Sequence, residues 1–330
     1  MSRITVFAET SKNQLDSTVA EMITAGRLIS MQLGSELTVV VIGNDITHLS
    51  EEITFLGVDA VYTVEHPMLS DNNPDLVVAT LDQVCKQINP HVFLLAKTHL
   101  GKIVGPRLAY RMGVSIAQDC VSLDTDESNK NLVVTRPVYG GNAMAEFTFE
   151  TTAPQIATLR IKNFKPSSPN KDKKGRIEKI IVTLDNSALK ALVLNTVKQE
   201  SKGIRLEEAS VVVAGGRGLG GPKGFEQLSD LANLFNGAVG ASRAVCDAGW
   251  LDHSFQIGLT GKTVSPNLYI TVGISGASQH MAGCLGSKNI IAINKDPGAN
   301  IFKSATYGVV GDWEKILPSF SATIGELLQQ

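Results

Sequence analysis

The sequence predicts an α/β protein of two domains, on the basis of three observations. Short apolar strands alternate with amphipathic helices in the first half of the chain, and a similar alternation resumes near residue 210. Two polar, charged stretches, 162–178 and 198–208, separate the two patterns. A chain of 330 residues is also long enough to bury two hydrophobic cores. We therefore predict domains at residues 1–200 and 201–330.

The first domain is predicted to be a doubly wound parallel sheet covered by helices. Apolar strands are predicted at residues 4–8, 37–42, 60–64 and 92–96. The first helix follows the first strand, and its apolar face is set by residues at helical spacing: Leu15, Val19, Met22, Ile23, Gly26, Ile29 and Leu33. Asn73 followed by Pro74 predicts the N-cap and first turn of another helix.

The pattern changes after residue 118. Residues 132–138 and 145–150 resemble paired strands around the glycine-containing turn 139–142, which predicts an antiparallel addition to the sheet. Residues 162–178 carry prolines and five lysines, and we interpret them as a connector or exposed loop.

The second domain is predicted to be Rossmann-like, with strands at residues 210–214, 268–274, 290–294 and 309–310. A closing helix is predicted at 316–328. Another helix follows the first of these strands, and its apolar face consists of Phe225, Leu228, Leu231, Leu234 and Phe235.

Charge and composition exclude several classes of partner. The net charge of −2 offers no electrostatic basis for binding nucleic acid or an anionic membrane. No apolar run approaches the roughly 18–20 residues of a membrane span. A strand already begins at Ile4, so we expect no signal or transit peptide. The cysteines lack metal-site spacing, and we expect four buried free thiols: Cys85, Cys120, Cys246 and Cys284.

Three turns follow predicted strands of the second domain, at residues 215–221, 273–280 and 294–299. Glycines let backbone amides approach a phosphate, and a helix N-terminus favours negative charge. Ser275 is predicted to cap the short helix that opens in the second turn. Each turn alone is also consistent with a structural role, but ligands bind at the carboxyl ends of parallel strands. Together the turns predict a nucleotide or dinucleotide site, and the lack of an acid–base motif favours a carrier over a hydrolase.

Longer motifs in the second half resemble those of electron-transfer flavoprotein α subunits. They lie at residues 239–244, 247–250, 258–262, 266–283 and 290–297, and residues 135–143 in the first half are similar to the same family. The resemblance covers essentially the whole chain and implies that the second domain binds FAD. Leu259 departs from the family pattern, because many members carry Gln at this position.

The resemblance also implies a set of FAD-binding residues. Arg217, Ser242 and Arg243 would contact FAD, with the Arg243 guanidinium near the flavin ring. The flavin edge would be lined by Ile257, Gly258, Leu259 and Thr260, with the Thr260 hydroxyl reaching N5. The pyrophosphate would be cradled by Ser275, Gly276, Ala277, Ser278, Gln279 and His280, with His280 at the flavin O2. The adenosine end would be bound by Asn294, Asp312 and Trp313.

The function implied by the resemblance is electron transport by a redox carrier rather than a conventional enzyme. The chain would form a heterodimer with a smaller β subunit. It would accept electrons from a flavin dehydrogenase such as an acyl-CoA dehydrogenase of fatty-acid β-oxidation, and pass them to a quinone oxidoreductase or another acceptor. The location would be bacterial cytoplasm, or the mitochondrial matrix for a mature eukaryotic form. Two alternatives stay open: an electron-bifurcating version that uses NADH, and a non-redox nucleotide-binding module.

Overall fold

A computed structural model describes residues 2–11, 13–141, 143–150, 153–170, 174–191 and 204–328. The chain divides into two compact units. Unit 1 consists of Met1–Pro137 and Met144–Thr196, and unit 2 of Val138–Ala143 and Val197–Gln330. The domain boundary proposed at residue 200 lies outside the described residues.

The elements up to residue 179 alternate between strands and helices. The strands are β1 (Arg3–Ala8), β2 (Thr10–Ser11), β3 (Gln14–Leu15), β4 (Glu36–Gly43), β5 (Ala60–Glu65), β6 (Val92–Ala96), β7 (Ile116–Cys120), β8 (Ser122–Thr125), β9 (Leu132–Val138), β10 (Ala143–Thr148), β11 (Gln155–Leu159) and β12 (Arg176–Lys179). The helices are α1 (Val19–Leu33), α2 (Thr47–Thr54), α3 (Pro74–Ile88) and α4 (His99–Met112).

Unit 1 contains a seven-stranded sheet in the order β12-β5-β4-β1-β6-β11-β7, with every neighbouring pair parallel. All five residues of β6 are buried, as expected for an inner strand covered on both faces. The predicted start of α3 is confirmed, because the Asn73 side chain accepts a hydrogen bond from the Asp75 amide and Pro74 occupies the first turn.

Three details differ from the prediction. The antiparallel strands form a separate three-stranded sheet, β10-β9-β8, rather than extending the large one. Within the predicted connector, β12 pairs with β5 although all four of its residues are exposed, because an edge strand can be held by backbone bonds alone. Leu15 lies in β3, and α1 begins only at Val19.

Unit 2 is built on a second parallel sheet. Its strands are β13 (Val211–Gly215), β14 (Ala238–Ala241), β15 (Leu268–Val272), β16 (Asn289–Asn294) and β17 (Tyr307–Val310), and its helices are α5 (Gly224–Leu234), α6 (Arg243–Asp247), α7 (Ser278–Met281) and α8 (Trp313–Leu327). The strands lie in the order β14-β13-β15-β16-β17, so the chain adds β14 on one side of β13 and the later strands on the other side. The sheet is therefore doubly wound, with its switch point between β13 and β15. No described helix has the length and apolar character needed to cross a membrane.

A buried carboxylate lies where β1 of unit 1 ends. Glu9 is 7 % exposed, and its two carboxylate oxygens accept from the Thr98 hydroxyl at 2.6 and 2.8 Å. Thr98 is the N-cap of α4, and its hydroxyl also accepts from the Gly101 amide. Burial raises the pKa of Glu9 to about 7; the hydrogen bond from Thr98 lowers it and the nearby Asp16 raises it further.

Glu9→Gln is therefore expected to make stability less dependent on pH. Because the folded-state pKa is the higher one, the favourable contribution is complete below about pH 4.5 and is lost as the pH rises through about 7. At pH 8 the amide variant should be more stable than the original chain by up to roughly 3 kcal/mol. Thermal unfolding measured from pH 4.5 to 8 tests this. The exposed Glu51→Gln serves as the control, and a Glu9→Gln effect that is the same at both pH values would contradict the assignment.

Candidate cofactor site

The three predicted turns lie at one edge of the unit 2 sheet. They follow β13, β15 and β16, which are mutually parallel neighbours, so their carboxyl ends meet. The first two turns flank the switch point between β13 and β15, where ligands bind in open parallel sheets. The edge predicted from the sequence is thus present in the structure.

The first two turns pack together through their backbones. The Gly216 amide donates to the Val272 carbonyl at 2.8 Å, and the Gly218 amide donates to the Gly273 carbonyl at 3.0 Å. A Cβ atom at Gly216 would lie 2.1 Å from the Gly273 oxygen, and one at Gly218 would lie 2.8 Å from the Gly273 Cα. Gly273 itself has φ +65°, which disfavours other residues. Three glycines are therefore required for the turns to approach this closely.

The second turn presents a row of free backbone amides. Among the described residues, none of the N–H groups of residues 275–279 donates to a protein acceptor. Gly276 has φ +81°, and a Cβ there would lie 2.2 Å from the Ile301 nitrogen. Such a row of amides beside a glycine is suited to the oxygens of a pyrophosphate.

Ser275 does not cap the helix, and that prediction is wrong. The helix α7 begins at Ser278 with Ala277 at the N-cap and no side-chain cap. The left-handed Gly276 turns the chain first, which delays the helix by two residues. The Ser275 carbonyl instead accepts from the Ile301 amide at 3.0 Å.

The third turn borders the same edge. The Asn294 side-chain amide donates to the Ile274 carbonyl at 2.9 Å, and its oxygen accepts from the Asp296 amide at 3.0 Å. A small cavity lies beside it, lined by Gly218, Gly273, Ile293, Asn294, Lys295, Gly311 and Trp313. Asp312 caps α8 by accepting from the Glu314 amide. The structure therefore brings Asn294 and Trp313 together, and places the Asp312 side chain at a helix end.

The predicted flavin-edge segment is attached to α7. The Leu259 amide donates to the Gln279 carbonyl at 2.7 Å, and a Cβ at Gly258 would lie 2.8 Å from the same oxygen. Ile257 is buried, whereas the Leu259 side chain is 69 % exposed and Thr260 is also exposed. The segment thus offers a polar and an apolar side chain to a ligand.

Two predicted cationic residues, Arg217 and Arg243, lie on the surface near this edge. Arg243 is placed there by Ser242, which follows β14 and whose amide donates to the Gly215 carbonyl at 3.0 Å, so that α6 begins beside the first turn. Arg243 is exposed and pairs with Asp247 one helical turn later at 3.2 Å. Arg217 is exposed in the first turn. The positions of these arginines are compatible with binding an anionic cofactor.

His280 is a buried polar residue of the predicted set, with 7 % of its surface exposed. Its Nε2 lies 2.9 Å from the hydroxyl oxygen of Tyr269, which is fully buried in β15. Burial lowers the pKa of His280 to about 4, and the Ile257 carbonyl opposes this to a smaller extent. The ring is therefore neutral and directed inward. Its contact with the flavin carbonyl stays a prediction.

The comparisons with known proteins identify the family. Residues 4–185 match the electron transfer flavoprotein domain, and residues 205–285 match the electron transfer flavoprotein FAD-binding domain. The electron transfer flavoprotein subunit alpha of Thermoanaerobacterium thermosaccharolyticum is 39 % identical over 324 residues, covering 98 % of each chain. The chain belongs to the electron-transfer flavoprotein α-subunit family.

Other relatives extend the comparison. The electron transfer flavoprotein subunit alpha of Bacillus subtilis is 39 % identical over 325 residues and 98 % of both chains. A lactate dehydrogenase (NAD(+),ferredoxin) subunit LctC of Acetobacterium woodii is 35 % identical over 97 % of this chain and 76 % of its own.

FAD is the cofactor that this electron-transfer flavoprotein subunit binds. The glycine turns and the free amides of residues 275–279 fit its pyrophosphate, because they can donate hydrogen bonds to the phosphate oxygens. The sequence did not reveal two hydrogen-bond partners of the predicted site residues. These are Gln256, which bonds Thr260, and Tyr269, which bonds His280. No spacing or composition signal marked either of them, because their roles depend on tertiary contacts.

Gly218→Ala is expected to weaken FAD binding by about tenfold or more. The added Cβ would press against the backbone of Gly273 and separate the two turns, and overpacking of this kind costs roughly 1–3 kcal/mol. Gly221→Ala in the same turn is the matched control, because a Cβ at Gly221 meets nothing within 4 Å. Titration of apoprotein with FAD, followed by flavin fluorescence, measures both. Equal affinities for the two variants would show that the backbone contact is not required.

Proposed function

We propose that this chain is the FAD-carrying subunit of a heterodimeric electron carrier. It accepts electrons from a flavin dehydrogenase, with acyl-CoA dehydrogenases as the expected class, and passes them to a quinone oxidoreductase or another acceptor. The observation that carries the proposal is the family match over nearly the whole chain, together with an edge of free amides suited to FAD. Bacterial relatives support a cytoplasmic location.

The chain's own residues have distinct proposed roles. FAD, when bound, supplies the reversible redox chemistry. The amides of residues 275–279 hold its pyrophosphate, and Asn294 and Trp313 hold the adenosine end. Arg243 provides a positive charge and Thr260 a hydroxyl beside the flavin, while Leu259 covers part of its edge. Positive charge and hydrogen-bond donors stabilise the negative charge that arrives with electrons.

The partner in the heterodimer is the β subunit of the same family. Co-expression of the two chains is expected to yield a stable complex of equal stoichiometry. In that complex, acyl-CoA dehydrogenase with its substrate should bleach the visible flavin absorbance. Absorbance that does not change with any flavin dehydrogenase or chemical reductant would favour a non-redox nucleotide-binding module instead.

The bifurcating version with NADH as donor is not favoured over this proposal. One relative is described as an NAD(+),ferredoxin-linked lactate dehydrogenase subunit, but those at 39 % identity carry no such description. The number of flavins in each heterodimer separates the two cases, because a bifurcating version would hold a second FAD in the β subunit.

Arg243→Ala is expected to lower the flavin reduction potential. Loss of a charge-assisted contact of ~1.5–3 kcal/mol corresponds to at most roughly 65–130 mV per electron, and solvent screening of the exposed side chain reduces the effect. Spectroelectrochemical titration beside the original protein measures the shift. Lys288→Ala is the control, because Lys288 is exposed and precedes β16 at the opposite end of the sheet. A potential that responds equally to both substitutions would argue against a specific role for Arg243.

A further inference from the structure

A buried glutamine next to the flavin-edge segment donates a hydrogen bond to a hydroxyl group. Gln256 is 5 % exposed, and its side-chain Nε2 donates to the Thr260 Oγ1 at 2.9 Å. The Thr260 hydroxyl has no other hydrogen-bond partner among the described residues. Since its oxygen is already an acceptor, the hydroxyl proton is free to donate outward from this exposed residue.

The orientation of the Gln256 amide is set from its other side. The His253 Nδ1 lies 3.0 Å from the Gln256 Oε1, and the His253 tautomer with its proton on Nδ1 donates to that oxygen, because an amide oxygen can only accept. With the oxygen held by His253, the amide nitrogen has to face Thr260. The reversed amide would place its oxygen beside Thr260, where it would draw the hydroxyl proton inward.

The backbone holds Gln256 in this position. Its carbonyl accepts from the Lys262 amide at 2.7 Å, and its own amide donates to the His253 carbonyl at 3.1 Å. Gly261 makes room for it, because a Cβ at Gly261 would lie 2.4 Å from the Gln256 carbonyl oxygen and 3.0 Å from its Cγ. The glutamine therefore spans the base of the loop whose tip carries Thr260.

We propose that Gln256 is a positioning residue that directs the Thr260 hydroxyl proton toward the bound flavin, and that His253 fixes the orientation of the Gln256 amide. This inference rests on the proposed function, in which Thr260 contacts the flavin at N5. Gln256 and His253 act only through Thr260. The chain His253–Gln256–Thr260 therefore makes the hydroxyl a fixed donor instead of a freely rotating group.

The test uses the heterodimer loaded with FAD that carries ¹⁵N at N5. A hydrogen bond accepted by N5 moves its ¹⁵N resonance upfield, so loss of the bond is seen as a downfield shift. Thr260→Val should give the full downfield shift. Gln256→Glu should give a comparable shift, because the carboxylate accepts the hydroxyl proton, and Gln256→Met a smaller one, because the hydroxyl is then free to rotate.

Two further variants guard against misfolding and nonspecific effects. His253→Ala changes a residue near the surface, so it should fold, and it should give an intermediate shift by releasing the Gln256 amide. Ser254→Ala, beside it in sequence, should leave the resonance unchanged. FAD content and circular dichroism are recorded for every variant.

The outcomes separate the inference from the proposed function. A Thr260→Val shift that neither Gln256→Glu nor His253→Ala reproduces, with FAD retained, would overturn the inference and leave the carrier function intact. A Thr260→Val variant with an unchanged N5 resonance would overturn the inference by removing the contact on which it rests. A heterodimer that holds no FAD, or FAD that no donor reduces, would instead refute the proposed function.

Discussion

The cofactor cradle of unit 2 depends on one backbone-to-backbone contact at the switch point of its sheet. The turns after β13 and β15 share two hydrogen bonds, from Gly216 to Val272 and from Gly218 to Gly273. No side chain can be interposed there, because an added Cβ at any of the three glycines would lie within 3 Å of the facing backbone. The close approach orients the second turn, and with it the amides that follow Gly273.

Other parts of the site are linked to that contact, one after another, by hydrogen bonds. The second turn leads into α7, and the Gln279 carbonyl of α7 binds the amide of Leu259. That bond holds the loop carrying Thr260, whose base is spanned by Gln256. Buried Tyr269 and His280 join α7 to β15 from beneath. The switch point is therefore connected to the flavin-edge segment by a short series of hydrogen bonds.

The sequence predicted strands such as β6, because an uninterrupted apolar run has few alternative structures. It missed β11, although all five of its residues are buried as well. It also missed β14, whose four small residues lack a strong apolar pattern, and β12, whose exposed residues pair only through the backbone. The position of the glycine turns could be predicted from local chemistry. The cap at Ser275 could not, because the conformation of Gly276 decides where α7 begins.

The side chains that form hydrogen bonds with the site residues could not be predicted from the sequence, for a different reason. Gln256 and Thr260 are close in the chain, but only the fold of the loop reveals which atoms meet. Tyr269 looks like an ordinary apolar-strand residue until α7 brings His280 against its hydroxyl. A family resemblance can indicate which residues contact a ligand. Residues that act through a neighbouring side chain can be identified only from the tertiary structure.

The free amides of residues 275–279 link the cellular abundance of the protein to the supply of FAD. A ligand that binds only the folded state adds stability that grows with the logarithm of its free concentration. Newly made chains that have not acquired FAD lack this contribution, so a larger fraction of them is unfolded and open to proteolysis. Degradation would remove those chains first, so the amount of this carrier would follow the supply of flavin even when its synthesis is constant.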